Sequence, residues 1–135
     1  MVKAKDIMEK DVITVKRDTP IQDAIKMLVD NNITGLPVVD DDMTLVGIIS
    51  EKDVLRFLAQ MDLLMLLDDI KKSDATVEDF MTTEVVAFEE YDTLADVCDC
   101  LINKNFRRVP ILSDGEVVGI ISRRDLVQYI SGPVI

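Results

Sequence analysis

Histidine is absent from all 135 residues. With it go the usual general base, the commonest metal ligand and every Ser-His or Cys-His dyad. Cysteine is scarce: Cys98 and Cys100 stand two apart on a helix-like stretch, point in different directions and form no C-x-x-C or zinc quartet. Cys98 is expected in the core and Cys100 nearer the surface, and two thiols without a disulfide framework suit a reducing cytoplasm. The five glycines are scattered singly, so neither a Walker loop nor a dinucleotide fingerprint is present. Lysine and arginine number 15 against 26 aspartates and glutamates, for a formal net charge of −11. That balance denies a basic footprint to nucleic acid or an anionic membrane surface, and any anionic ligand must be held by a local cluster against the overall field. No apolar run reaches membrane-spanning length, and the start Met-Val-Lys-Ala-Lys-Asp has no apolar signal core. A soluble cytoplasmic protein is expected, with neither nucleic acid nor membrane as a partner.

What is there is repetition, within a chain that is 48% hydrophobic and so able to bury a core. Gly47-Ile48-Ile49-Ser50-Glu51-Lys52-Asp53 returns as Gly119-Ile120-Ile121-Ser122-Arg123-Arg124-Asp125. Lys5-Asp6-Ile7-Met8 returns as Glu78-Asp79-Phe80-Met81, and Asp11-Val12-Ile13-Thr14-Val15 as Glu84-Val85-Val86-Ala87-Phe88. The step from Asp6 to Asp79 is longer by a single position than the step from Gly47 to Gly119. The difference falls where Asp40-Asp41-Asp42-Met43-Thr44 faces Ser113-Asp114-Gly115-Glu116, a hairpin turn that tolerates a change of length.

Each copy reads as strand, helix, strand, hairpin, strand, helix. The stretches beginning at Asp11 and Glu84 have strand character. Ile21, Ala24, Ile25, Leu28 and Val29 share a helical face, as do Leu94, Val97, Cys98, Leu101 and Ile102. Thr19, Pro20 and Gln22 read as cap, first helical residue and capping-box partner, and Asp92 or Thr93 caps the second copy. Asn31-Asn32 and Asn103-Lys104-Asn105 suit left-handed helix ends. A second helix of each copy is expected over Glu51 to about Ala59 and Arg123 to about Ile130, with Gly132-Pro133 as a stop. The boundaries are 1–60 for the first unit, 61–75 for an apolar helical connector and polar linker, and 76–135 for the second. Phe57–Leu67, rich in leucine and methionine on more than one face, is expected to pack partly on the sheets and partly against another subunit.

No constellation resembles a catalytic centre, so no enzyme, no cofactor and no metal is expected. Asp40-Asp41-Asp42 reads as a solvated turn, since hard-cation binding would need converging oxygen ligands that the second copy lacks. What remains is the repeated strand-to-helix junction. Its bland reading is a capping box, in which serine accepts from a helical N–H and aspartate reaches back. Its chemical reading is a ligand corner. Ser50 and Ser122 offer a hydroxyl and N–H groups to phosphate at a helix start, and Asp53 and Asp125 can accept from a ribose diol. Apolar surface such as Ile13 or Val86 suits a base. Arg107, Arg108, Arg123, Arg124 and Lys52 are the cations available for phosphate, and their bland reading is a solvated face paired with carboxylates.

The ordered series Asp-x-Met, Val-Ile-Thr-Val, Thr-Pro-Ile-Gln-Asp-Ala, Leu-Pro-Val-Val-Asp and Gly-Ile-Ile-Ser-x-x-Asp resembles a tandem CBS (cystathionine β-synthase) domain pair, and the resemblance spans essentially the whole chain. It implies an α+β Bateman module, two β-α-β-β-α units packed sheet to sheet about a pseudo-twofold axis, and frequent homodimers. It also implies two clefts for an adenosine nucleotide. The first would take Ile48, Ser50 and Asp53 with Val85, Val86, Arg107, Arg108, Pro110 and Arg124. The second, expected to be weaker because Thr34-Gly35 stands where the other has paired arginines, would take Ile120, Ser122 and Asp125 with Val12, Ile13, Thr34, Gly35, Pro37 and Lys52. The function implied is a stand-alone regulatory or energy-sensing module that binds AMP, ADP or ATP and signals to a regulated partner. A ligand-free dimerisation scaffold and an S-adenosylmethionine-binding module are the alternatives.

Overall fold

The computed structural model describes residues 1–59 and 74–132. Residues 60–67 of the apolar Phe57–Leu67 stretch, most of the connector and Pro133 lie outside the described residues, as do the side chains of Phe57 and Leu58. In order come α1 (Ala4–Ile7), α2 (Ile21–Asp30), β1 (Gly35–Val39), β2 (Leu45–Ser50) and α3 (Glu51–Ala59). A 3-10 turn at Val77–Asp79 is followed by β3 (Phe88–Glu89), α4 (Leu94–Asn103), β4 (Arg108–Ser113), β5 (Glu116–Ser122) and α5 (Arg123–Ser131). The fold is α+β with two small sheets, β1-β2 and β3-β4-β5.

The two compact units are not the two sequence repeats. One unit is Ile13–Val85, and the other is Met1–Val12 together with Val86–Ile135. The opening segment of each repeat therefore folds onto the other repeat's sheet. In the first unit Val77 is fully buried among Val15, Ile21, Ala24, Leu28, Leu36, Val38 and Ile49. In the second, Ala4 holds the matching place among Val97, Leu101, Val109, Ile111, Ile121 and Leu126. Burying one such valine contributes roughly 1.5–3 kcal/mol, so each core depends on a segment distant in sequence.

The same exchange explains two motifs at once. In place of Gly47's hydrogen a Cβ would stand 2.9 Å from Met81 Sδ and 2.9 Å from the Thr82 carbonyl oxygen. At Gly119 it would run into Met8 Sδ and stand 2.9 Å from Met8 Cβ. The methionine of Asp-x-Met thus rests on the bare backbone of the Gly-Ile-Ile-Ser strand. Backbone pairs lock the contact. Ile48 and Thr82 exchange two hydrogen bonds of 2.8 Å, and Ile120 and Glu9 exchange bonds of 3.0 and 2.9 Å.

Local signals explain most of the remaining elements. Thr93 caps α4, its hydroxyl accepting from Asp96 N–H at 3.3 Å. Asn32 and Asn105 take positive φ, 51° and 56°, just past α2 and α4. Asp114 and Gly115, both with φ above zero, make the two-residue turn that matches strand twist, and the longer first hairpin closes with Met43 at φ 69°.

Three expectations are corrected. Helix α2 begins at Ile21 with Pro20 in the cap place, and the Thr19 hydroxyl accepts from Lys16 N–H at 3.0 Å rather than capping the helix. The predicted strand Asp11–Val15 contracts to one parallel bridge, Val15 with Val38, and Glu84–Phe88 to the short β3. Val29 and Ile102 are 72% and 75% exposed. Each lies two full turns and a fraction after the first apolar position of its helix, about 80° round from it, beyond the edge of the buried stripe.

Gly47→Ala is expected to cost about 1–3 kcal/mol by overpacking, read as a lower urea midpoint. Gly35→Ala, whose added Cβ would meet nothing closer than 3.7 Å, should leave the midpoint nearly unchanged, and equal effects would refute the close-approach account. A variant lacking residues 1–8 should lose hydrogen-exchange protection at β5, on the sheet that Ala4 and Met8 support. Unaltered protection there would mean that the exchanged segment does not stabilise its host sheet.

Candidate functional site

Both Ser-x-x-Asp junctions are capping boxes, as the bland reading had it. At the start of α3, Asp53 Oδ2 accepts from Ser50 N–H at 2.9 Å, and Asp53 N–H donates to the Ser50 hydroxyl at 3.2 Å. At the start of α5, Asp125 Oδ2 accepts from Ser122 N–H at 2.8 Å, and Asp125 N–H donates to the Ser122 hydroxyl at 3.1 Å. The box orients each serine and places a carboxylate one turn in, beside the positive end of the helix dipole. The caps and the expected ligand corners therefore use the same residues.

The corners differ in what surrounds them. Asp53 is 5% exposed, the one buried charged residue among those described. Its Oδ2 accepts a second bond from the Ser50 hydroxyl at 2.9 Å. Its Oδ1 accepts from the Thr82 hydroxyl at 2.8 Å and, more weakly, from Arg56 Nη1 at 3.4 Å. Asp125 is half-buried, and among the described residues no hydrogen-bond donor reaches its Oδ1.

Strand register decides which neighbours each serine has within its own unit. Gly35 pairs with Ser50 and Pro37 with Ile48, and Glu51 N–H donates to the Thr34 carbonyl at 2.9 Å. Arg108 pairs with Ser122 and Pro110 with Ile120, and Arg123 N–H donates to the Arg107 carbonyl at 2.9 Å. Residues Ile13, Thr34, Gly35, Pro37, Ile48, Ser50, Lys52, Asp53 and Val85 thus belong to the Ile13–Val85 unit, and Val12, Val86, Arg107, Arg108, Pro110, Ile120, Ser122, Arg124 and Asp125 to the other. Each expected cleft draws on both units. Inside the units, the backbone next to Ser50 is Thr34-Gly35, and that next to Ser122 is Arg107-Arg108.

The arginines play different parts. Arg123 is committed to the end of α4: its Nε donates to the Phe106 carbonyl at 2.7 Å and its Nη2 to the Leu101 carbonyl at 3.0 Å. A cation at that carbonyl-rich terminus is stabilising, so Arg123 is a structural cap. Arg108 is half-buried, and its Nε is buried with no hydrogen-bond partner. Burial pushes its guanidinium below the ordinary pKa, Asp125 pulls it back up and Arg107 pushes it down again. An arginine stays charged under such pressure, so this corner holds an under-satisfied cation next to a helix start. Arg107, Arg124 and Lys52 are exposed.

The acidic hairpin is occupied with local pairing. Lys16 reaches Asp41 at 2.6 Å, Arg17 reaches Asp40 at 3.1 Å, and Thr44 hydrogen bonds hold Asp42 below the usual carboxylate pKa. Among the described residues no group of three or more metal-ligating side chains converges, and no helix is long and apolar enough to cross a membrane.

Sequence reading overlooked Thr82, Arg56 and Glu9. Thr82 and Glu9 follow Met81 and Met8 in the repeated Asp-x-Met motif, so the signal was present as the first position after it where the copies diverge.

A family model for the CBS domain matches residues 4–60 and again residues 77–132. The uncharacterized protein MJ1225 of Methanocaldococcus jannaschii is 33% identical over 93% of this chain, and the chloroplastic CBS domain-containing protein CBSX1 of Arabidopsis thaliana is 31% identical over 89%. The chain spans 42% and 59% of their respective lengths. Among solved structures, CBSX2 of Arabidopsis thaliana in complex with AMP shares 32% identity and a TM-score of 0.82 over 97% of each chain. The CBS domain pair of protein MJ0100 in complex with 5′-methylthioadenosine and S-adenosyl-L-methionine shares 32% identity and a TM-score of 0.78 over 98% of each chain. Two matched copies, two α+β units and two Ser-x-x-Asp corners agree: the chain belongs to the CBS-domain family, as a tandem pair.

Proposed function

We propose that the chain is a regulatory module that binds an adenosine nucleotide (AMP, ADP or ATP) at its Ser-x-x-Asp corners and passes its occupancy to a partner chain. The observation that carries this reading is the Ser122 corner. There the half-buried Arg108 guanidinium, left under-satisfied by an Nε without a partner, stands on the strand beside the Ser122 hydroxyl and the start of α5, a donor set that suits phosphate oxygens. The open Oδ1 of Asp125 is an acceptor for ribose hydroxyls, which share no chemistry with phosphate and so need a separate group. The AMP complex of CBSX2 and the methylthioadenosine complex of the MJ0100 pair support an adenosyl ligand. A second reading, S-adenosylmethionine, is favoured by that latter complex. Arg108 argues against it, since a guanidinium rewards a phosphate and repels a sulfonium.

The ranking that the resemblance implied is proposed the other way round. The paired arginines neighbour Ser122 in their own unit, so the Asp125 corner is proposed to hold the phosphorylated ligand more tightly than the Asp53 corner. The regulatory output requires different ligand affinity in two states of the module or of its assembly. A homodimer and an energy-sensing role are part of this proposal.

Calorimetric titration with AMP, ADP, ATP and S-adenosylmethionine tests it. A phosphorylated adenosine should bind saturably, and Asp125→Ala should weaken the tighter event about tenfold to a hundredfold, the range for a hydrogen bond to a charged group. Tighter binding of S-adenosylmethionine would transfer the proposal to that ligand. Silence from all four would leave the junctions as caps and favour a dimerisation scaffold.

A further inference from the structure

We infer that Thr82 is a positioning residue that closes the Asp53 corner to ligand, and that this hydroxyl adds to the arginines beside Ser122 in making the module's two corners unequal. The inference rests on the nucleotide reading above. The corners share their backbone. Thr82 exchanges two hydrogen bonds with Ile48, and Glu9, its counterpart in the other repeat, exchanges the same two with Ile120. Each residue is therefore held at the same place beside its Gly-Ile-Ile-Ser strand. The difference lies in the side chains. The Thr82 hydroxyl donates to Asp53 Oδ1 at 2.8 Å, whereas Glu9 carries no hydroxyl and its Oε1 accepts from Asp11 N–H at 3.2 Å.

Donors and access then separate the two aspartates. Asp53 takes two bonds on Oδ2 and two on Oδ1, and is 5% exposed. A ribose diol must displace the Thr82 hydroxyl to reach it. Arg56 is the weaker obstacle, with a 3.4 Å contact and a side chain 64% exposed to screening solvent. Its counterpart in the second repeat is Gln128, which brings no charge to Asp125. Asp125 has one oxygen engaged and one open. Thr82 thus sets which corner fills first, and filling the Asp53 corner must free Thr82 from it.

The test is calorimetric titration with AMP of the whole chain and of its variants. Thr82→Val keeps the shape and removes the hydroxyl, and Thr82 is exposed, so the fold tolerates it. The wild type should show one tight event. Thr82→Val should tighten a second event about tenfold, and adding Asp53→Ala should abolish that gain. Thr82→Ser, which retains the donor, should restore the wild-type pattern. Glu9→Thr should transplant the obstacle and weaken the Asp125 event. Two equal events in the wild type, or tight binding at Asp125 with no effect of Thr82→Val, would overturn the inference and leave the nucleotide reading standing. No AMP binding by any variant would overturn both.

Discussion

A methionine seated on a glycine is the contact on which the rest of this molecule depends. Met81 lies where Gly47 has no side chain, and Met8 lies likewise on Gly119. Neither contact joins neighbours in sequence. Each draws the opening segment of one repeat onto the closing strand of the other, and the backbone bonds Ile48–Thr82 and Ile120–Glu9 then hold the next residue in place. The segment arrives with a buried alanine or valine that completes the host's core. A side chain at either glycine would hold the segment off by more than the tolerance of a close-packed interior. The glycines are thus conditions of the topology, not of a turn.

The segment exchange also governs the chemistry. The first residue after each methionine is delivered to the edge of a Ser-x-x-Asp corner built by the other repeat. The two corners share their backbone pairing, and this delivered residue is one of the places where they differ. In one, a hydroxyl satisfies a buried carboxylate that would otherwise be costly to hold in a poorly solvated place. In the other, the carboxylate is left half-buried and near Arg108, whose burial is only partly offset by the attraction of Asp125. Each solution stabilises an aspartate. Only the second leaves acceptor and donor capacity for something from outside.

Much of this was legible in the sequence because it is local. The caps at Thr93, Ser50 and Ser122, the left-handed asparagines and the hairpin of Asp114 and Gly115 are set by residues within a few positions of one another. The repeat offset carried the duplication. The unit composition was harder to read, because Val77 and Ala4 bury themselves equally well in either repeat's core as far as periodicity can tell. The choice is made by a strand pairing that no local pattern records. The helix faces failed only at their edges, where Val29 and Ile102 fall outside a stripe narrower than the run of apolar residues suggested. At the candidate site, the repeat and the resemblance named the serines, aspartates and arginines as expectations. It did not distinguish Arg123, which caps a helix, from Arg108, which faces a corner.

The acidity of the chain sharpens the distinction between those arginines. With a formal charge of −11, long-range attraction works against an anionic ligand, and salt screens that opposition over about 8–10 Å. Surface cations such as Arg124 and Lys52 are exposed, so solvent and salt screen the attraction they offer. A half-buried guanidinium is different, because the surrounding protein limits screening and its unpaired Nε leaves the group under-satisfied. Discrimination for phosphate in so negative a molecule must therefore come from short-range, desolvated contacts. For the phosphorylated ligand proposed above, that requirement points to Arg108 among the cations and to the Ser122 corner beside which it stands.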